Sequence, residues 1–128
     1  MISAPKTRPK YYDLNLAHLP PPGLVSILHR ISGLVLFFPV LPLLLWLLQS
    51  TLGPEAGYAQ LREFFSRPVV KLLLLAATWM YAHHFWAGVR FLLFDLHVAT
   101  AKAPSRATAY AVLVLGALTT LVVAWRLW

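Results

Sequence analysis

Three long apolar runs that carry a few ionisable side chains constrain the fold of this chain more than any other feature. The runs cover residues 23–48, 69–96 and 107–125, and a bilayer's hydrocarbon core takes about 20 residues to cross. His29 and Arg30 lie in the first run, and the pair His83 and His84 lies in the second. An ionisable side chain in the middle of a membrane costs about 2.5–3.5 kcal/mol, so such residues usually serve a function. The pattern therefore favours redox or proton chemistry inside a membrane.

The composition supports a membrane protein and excludes several other classes. Of the 128 residues, 59% are hydrophobic and 12% are charged, which is more apolar surface than a soluble domain of this size can bury. The net charge is +7, but the basic residues lie mostly at the ends of the apolar runs, so we expect no nucleic-acid binding. Cysteine is absent, which excludes iron–sulfur clusters, thiolate haem ligands and disulfides from this chain.

The three runs predict an all-α membrane protein with three transmembrane helices, behind an N-terminal tail at residues 1–22. The prolines at 20–22 predict a stop before the first span, while Pro39 and Pro42 predict a kink inside it. Residues 49–68 form a polar connection in which a short interfacial helix is expected.

The distribution of basic residues predicts the orientation in the membrane. With three spans, the N-terminus and the loop after the second span share one side. That side holds seven basic residues and the opposite side holds four: Lys6, Arg8, Lys10, Arg30, Arg90, Lys102 and Arg106, against Arg62, Arg67, Lys71 and Arg126. The excess of positive charge predicts that the N-terminus is cytoplasmic.

A first polar cluster opens the first span. Ser26 and Arg30 are four residues apart and share a helix face, which His29 flanks. Arginine keeps its charge and offers fixed donors to a carbonyl oxygen or a carboxylate, which suits the head of a quinone or the propionates of a haem. Side chains that reach from the end of a span to the lipid headgroups explain the pattern equally well.

A second cluster lies in the second run, where His84 is near the middle and Gly88 is one turn further on the same face. A neutral imidazole is a good axial ligand for haem iron, but a hydrogen bond between helices is the other interpretation of His84. His83 points about 100° away and cannot reach the same iron, so for it we expect the hydrogen bond. The chain offers no obvious second axial histidine on a facing span, because His29 lies near a membrane face. If two histidines hold a haem, we expect the other to come from a partner subunit.

Two ordered motifs carry a resemblance to a known family. They read Ser26-x-x-His29-Arg30-x-Ser32-Gly33 and His84-x-x-x-Gly88-Val89-Arg90-Phe91-Leu92-x-x-Asp95. With its three predicted spans, the chain resembles the cytochrome b membrane-anchor subunit of succinate dehydrogenase. One position departs from the family, because a histidine usually follows the arginine where this chain has Phe91. A propionate or proton-relay role at that position is therefore lost.

The resemblance implies roles for four residues and a set of partners. His84 would be the axial ligand of a haem b iron, Ser26 and Arg30 would bind ubiquinone, and His29 and Arg30 would lie at the haem propionates. The partners would be a small membrane-anchor subunit, an iron–sulfur subunit and a flavoprotein subunit that oxidises succinate, in the inner membrane of a bacterium. The chain alone would have no activity. Three alternatives remain: a fumarate reductase-type anchor, a haem-free structural anchor, and a small transporter subunit.

Overall fold

A computed structural model describes residues 18–53 and 55–128, and all the regular structure within them is helical. The helices are α1 (Pro21–Val35), α2 (Leu41–Thr51), α3 (Glu55–Ser66), α4 (Pro68–Asp95) and α5 (Lys102–Leu127), and a π-helical segment, Leu36–Val40, joins α1 to α2. The all-α prediction is confirmed. Most of the predicted tail at 1–22 lies outside the described residues.

The prolines near the first span act in two different ways. Pro20 is the N-cap of α1, and the helix begins with the two prolines that follow it. The predicted stop across 20–22 is therefore wrong for the last two, because a helix tolerates proline in its first turn, where backbone N–H groups have no partner anyway. Pro39 lies inside the π-helical segment, where the Leu41 N–H donates to the Leu36 carbonyl. The predicted distortion of the first span takes this form.

Two helical stretches of the described chain are long and apolar enough to cross a membrane, namely the 31 residues Pro21–Thr51 and the 26 residues Lys102–Leu127. Helix α4 has 28 residues and is about 42 Å long, so its length is sufficient. It is less apolar because it contains Lys71, the two histidines and Arg90. A third crossing and the side of the N-terminus remain predictions.

Helices α4 and α5 pack antiparallel and are joined by hydrogen bonds at both ends. At one end the Lys71 Nζ donates to the Leu127 carbonyl oxygen at 2.7 Å. At the other end the Arg90 guanidinium donates to Thr108 Oγ1 at 3.2 Å and to the carbonyl and hydroxyl oxygens of Ser105 at 3.3 and 3.2 Å. These contacts fix the register of the two helices. Arg90 makes them with neutral groups, and no acidic side chain pairs with it in the described part of the chain.

Small residues form the centre of the bundle. Val25 of α1 packs with Ala87 of α4 and with Ala109 and Val112 of α5, and all four are buried. Such residues let helices approach closely. Many large apolar side chains instead point outward, including Phe38, Leu45, Trp46, Leu72 and Leu121. An apolar exterior over a small-residue centre is the arrangement expected of helices that lipid surrounds.

Candidate functional site

The side chain of His84 is held by the helix that faces it. Its Nδ1 lies 3.1 Å from the His29 carbonyl oxygen and 3.2 Å from the Ser32 hydroxyl oxygen, both on α1. A carbonyl oxygen can only accept a hydrogen bond, so the arrangement requires the proton of His84 to be on Nδ1. In the neutral ring Nε2 then carries a free lone pair. A histidine that donates Nδ1–H to a backbone carbonyl is the usual form of a metal-ligating imidazole.

Packing also restricts the His84 ring at its Cε1 edge and on one of its faces. A Cβ atom added to Gly33 would lie 3.0 Å from His84 Cε1, so glycine is needed for α1 to approach this closely. The His29 ring stacks on the His84 ring, with 4.1 Å between centroids and 14° between planes. The Phe91 ring packs against the His29 ring, with 5.1 Å between the two centroids. The orientation of both imidazoles is therefore fixed by packing.

An apolar groove of about 800 Å³ opens beside His84, between α4 and the continuous stretch from α1 to α2. A volume of this size is in the range of small-molecule and cofactor sites. The groove is lined almost entirely by apolar atoms, and among its described lining residues His84 is the one histidine: Gly33, Leu36, Phe37, Val40, Leu41, Leu44, Leu74, Ala77, Thr78, Tyr81, His84 and Phe85. A flat apolar group with one metal atom fits these surroundings.

The predicted cluster at the start of the first span divides into two parts. The His29 side chain turns toward α4 and reaches His84, whereas the Arg30 side chain is exposed. Ser26 is half-buried on the same helix face as Arg30. Within residues 18–53 and 55–128, neither Ser26 nor Arg30 makes a hydrogen bond or an ion pair, so their polar atoms are available to a bound group.

His83 does not make the hydrogen bond that its sequence position predicts. The residue is fully buried, and neither ring nitrogen has a hydrogen-bond partner among the described residues. The Val25 backbone lies near the ring, but the two are not in hydrogen-bond geometry. The ring stacks on Trp79 at 5.4 Å, and α5 packs against its backbone at Gly116. It lies away from the groove and takes part in the helix core.

Two further polar residues have roles that the sequence pattern did not assign. Ser32 is part of the first motif, but only the structure places its hydroxyl on His84. The signal in the sequence is weak, since a serine three residues after His29 more often bonds back to its own helix. Arg90 is 3% exposed and stacks on the Phe94 ring at 4.3 Å, in addition to its hydrogen bonds to α5. Arg90 thus joins helices and does not face the groove.

Comparison with known proteins identifies the family of this chain. Residues 4–123 match the family model of the succinate dehydrogenase/fumarate reductase transmembrane subunit. The succinate dehydrogenase cytochrome b556 subunit of Coxiella burnetii is 37% identical over 111 residues, which cover 84% of this chain and 86% of the relative. The subunit of the same name from Rickettsia felis is 33% identical over 89 residues, covering 70% of this chain and 68% of the relative. The chain therefore belongs to the succinate dehydrogenase/fumarate reductase transmembrane subunit family, among the cytochrome b membrane anchors of succinate dehydrogenase.

Proposed function

We propose that this chain anchors a succinate:quinone oxidoreductase in the inner membrane, holds haem b together with a small partner anchor subunit, and forms part of the ubiquinone site. The observation that carries the proposal is His84, whose Nδ1–H is bonded to α1 beside an apolar groove. The name cytochrome b556 of the relatives supports the same cofactor.

The residues around the groove fit a haem. His84 would ligate the iron through Nε2, and the apolar walls would hold the porphyrin ring. Since no other histidine lines the groove in the described part of the chain, a second histidine for the iron would come from the small anchor subunit. His29 and Arg30 lie on α1 just before Gly33, where the groove begins, and would contact the propionates, where a guanidinium forms charge-assisted hydrogen bonds. When bound, haem b supplies a one-electron carrier within the membrane.

Ser26 and Arg30 would bind the quinone head at the cytoplasmic surface. Reduction of a quinone to a quinol takes up two electrons and two protons. The Ser26 hydroxyl would donate to one carbonyl oxygen of the quinone, and the Arg30 guanidinium would stabilise the negative charge that develops there. Both side chains are free of other partners among the described residues, which supports this role.

Electrons would reach this site from partner subunits. The chain contains no cysteine, so iron–sulfur clusters would belong to an iron–sulfur subunit and succinate oxidation to a flavoprotein subunit. We propose that the anchor crosses the membrane three times with a cytoplasmic N-terminus, and that both soluble subunits bind on that side. The anchor contributes sites to the complex and has no activity alone.

A reduced-minus-oxidised absorbance spectrum of the purified complex tests the haem site. We expect a haem b spectrum that His84→Leu abolishes, while the matched control His83→Leu leaves it unchanged because His83 lies away from the groove. If the unchanged complex had no Soret band, the haem-free structural anchor would be the remaining interpretation. If only His83→Leu removed the haem spectrum, His83 would be the iron ligand instead of His84.

Activity measurements with two acceptors test the quinone site. We expect Ser26→Ala and Arg30→Leu to slow succinate-dependent quinone reduction by about 100- to 1000-fold, as loss of one stabilising donor does at about 2.7–4 kcal/mol. Reduction of a soluble dye by the iron–sulfur and flavoprotein subunits should continue. An equal loss of both activities would indicate failed assembly and would contradict the assignment. A complex that reduces fumarate faster than it oxidises succinate would indicate the fumarate reductase-type anchor.

A further inference from the structure

A buried serine lies between the two histidines of the candidate haem site. Ser32 is 2% exposed, and its hydroxyl oxygen is 3.0 Å from the His29 carbonyl oxygen and 3.2 Å from His84 Nδ1. We propose that Ser32 is the positioning residue of His84, which fixes the plane of the ring and keeps Nε2 directed at the groove. This inference rests on the proposed role of His84 as the haem ligand.

The three polar groups form one hydrogen-bonded triangle with a single consistent arrangement of protons. The Ser32 hydroxyl has one proton, which it donates to the His29 carbonyl oxygen. Its lone pairs then face His84 Nδ1, so the Nδ1–H is shared between the Ser32 oxygen and the His29 carbonyl oxygen. The reverse arrangement would place the Nδ1 lone pair against the carbonyl lone pairs at 3.1 Å, which is repulsive.

Two acceptors hold the ring more firmly than one. A single acceptor fixes the position of Nδ1 but allows the imidazole to turn about that contact. A second acceptor on the same N–H limits that rotation. The space beside Cε1 is also narrow, since a Cβ added to Gly33 would lie only 3.0 Å from it. Partners of this kind orient metal ligands, and their removal typically weakens metal binding by about 10- to 100-fold.

A simpler interpretation is that Ser32 only bonds back to its own helix, as serine and threonine often do. The chain offers a matched control for that interpretation. Thr120 on α5 makes the same kind of bond, from its hydroxyl to the Gly116 carbonyl at 2.9 Å, and no histidine is bonded to it. Loss of the two hydroxyls should therefore have different consequences for the haem.

The experiment compares whole complexes that carry Ser32→Ala, Ser32→Cys or Thr120→Ala with the unchanged complex. Two properties are measured in detergent: the rate at which haem transfers to excess apomyoglobin, and the largest g value of the ferric haem in its EPR spectrum, which reports the relative planes of the axial imidazoles. We expect Ser32→Ala to lose haem about 10-fold faster and to shift the g value, because one acceptor of the Nδ1–H is gone.

The second serine variant and the control separate the outcomes. Ser32→Cys puts a slightly larger side chain with a weak hydrogen-bonding group at the same position, so we expect the same direction of change even where the alanine variant leaves a void and fails to assemble. Thr120→Ala should match the unchanged complex. Serine variants with unchanged haem transfer and g value would overturn the positioning role and leave the proposed function intact. An unchanged complex without haem, or a His84→Leu complex with a normal spectrum, would overturn the proposed function itself.

Discussion

Replacing Gly33 by alanine should displace the candidate haem ligand. A Cβ at this position would lie 3.0 Å from His84 Cε1, whereas carbon atoms pack best at about 3.5–4.0 Å. The ring or α1 must therefore move by roughly 0.5 Å, which is the tolerance within which a functional site has to be held. The displacement separates His84 from α1, so it lengthens the bonds from His84 Nδ1 to Ser32 and His29, which are both on α1.

Gly88 provides the control for this change. A Cβ at Gly88 would lie 3.9 Å from His29 Nε2, which is an ordinary contact. Both glycines lie inside long helices, so the preference of helices for alanine acts on both variants alike. The difference between them isolates the contact with His84, and overpacking of this kind costs about 1–3 kcal/mol.

The assay measures the thermal midpoint of the purified complex and its ratio of haem to protein. We expect Gly33→Ala to lower both, while Gly88→Ala keeps the haem and has an equal or higher midpoint than the unchanged complex. The reasoning is refuted if the two alanine variants have the same midpoint and the same haem content.

Two further predictions follow from the helix contacts, and a third concerns the number of membrane spans. Arg90→Leu removes the hydrogen bonds to Ser105 and Thr108, so it should destabilise the α4–α5 pair by about 1.5–3 kcal/mol. A thermal midpoint equal to that of the unchanged complex would contradict this prediction. His83→Leu should raise the midpoint, since an unpaired buried polar group costs about 1–3 kcal/mol, and a fall in the midpoint would show that the imidazole has a partner. The chain has no cysteine, so Ser66→Cys and Ala101→Cys each introduce a single thiol, one before and one after α4. A membrane-impermeant maleimide should label the two thiols from opposite sides of the membrane. Labelling of both thiols from the same side would exclude three spans.

Periodicity and length predict the helices well because these segments are long and apolar. The helical conformation of the second and third runs follows from side-chain chemistry that does not depend on neighbours. The start of α1 was less predictable, because the same prolines that break a helix interior are tolerated in its first turn. The π-helical segment was visible only as a distortion near Pro39, since the sequence does not specify which hydrogen-bond pattern replaces the regular one.

The site itself could be predicted only in part. The two motifs place His29 in the first span and His84 in the second, but the stacking of their rings depends on how closely α1 approaches α4, which Gly33 permits. The hydrogen bond from His84 to the His29 carbonyl involves backbone, so no side-chain pattern encodes it. For His83 the sequence suggested a hydrogen bond between helices, and among the described residues neither ring nitrogen has a partner in hydrogen-bond geometry.

The two ends of the α4–α5 pair are secured by Lys71 and Arg90, and neither contact involves α1. The groove, in contrast, has one wall on α4 and the other on the stretch from α1 to α2. The bonds from His84 Nδ1 to His29 and Ser32 run between these two walls. A change that loosens α1 would therefore alter the groove and the orientation of His84 together, while the hairpin of α4 and α5 keeps its own contacts.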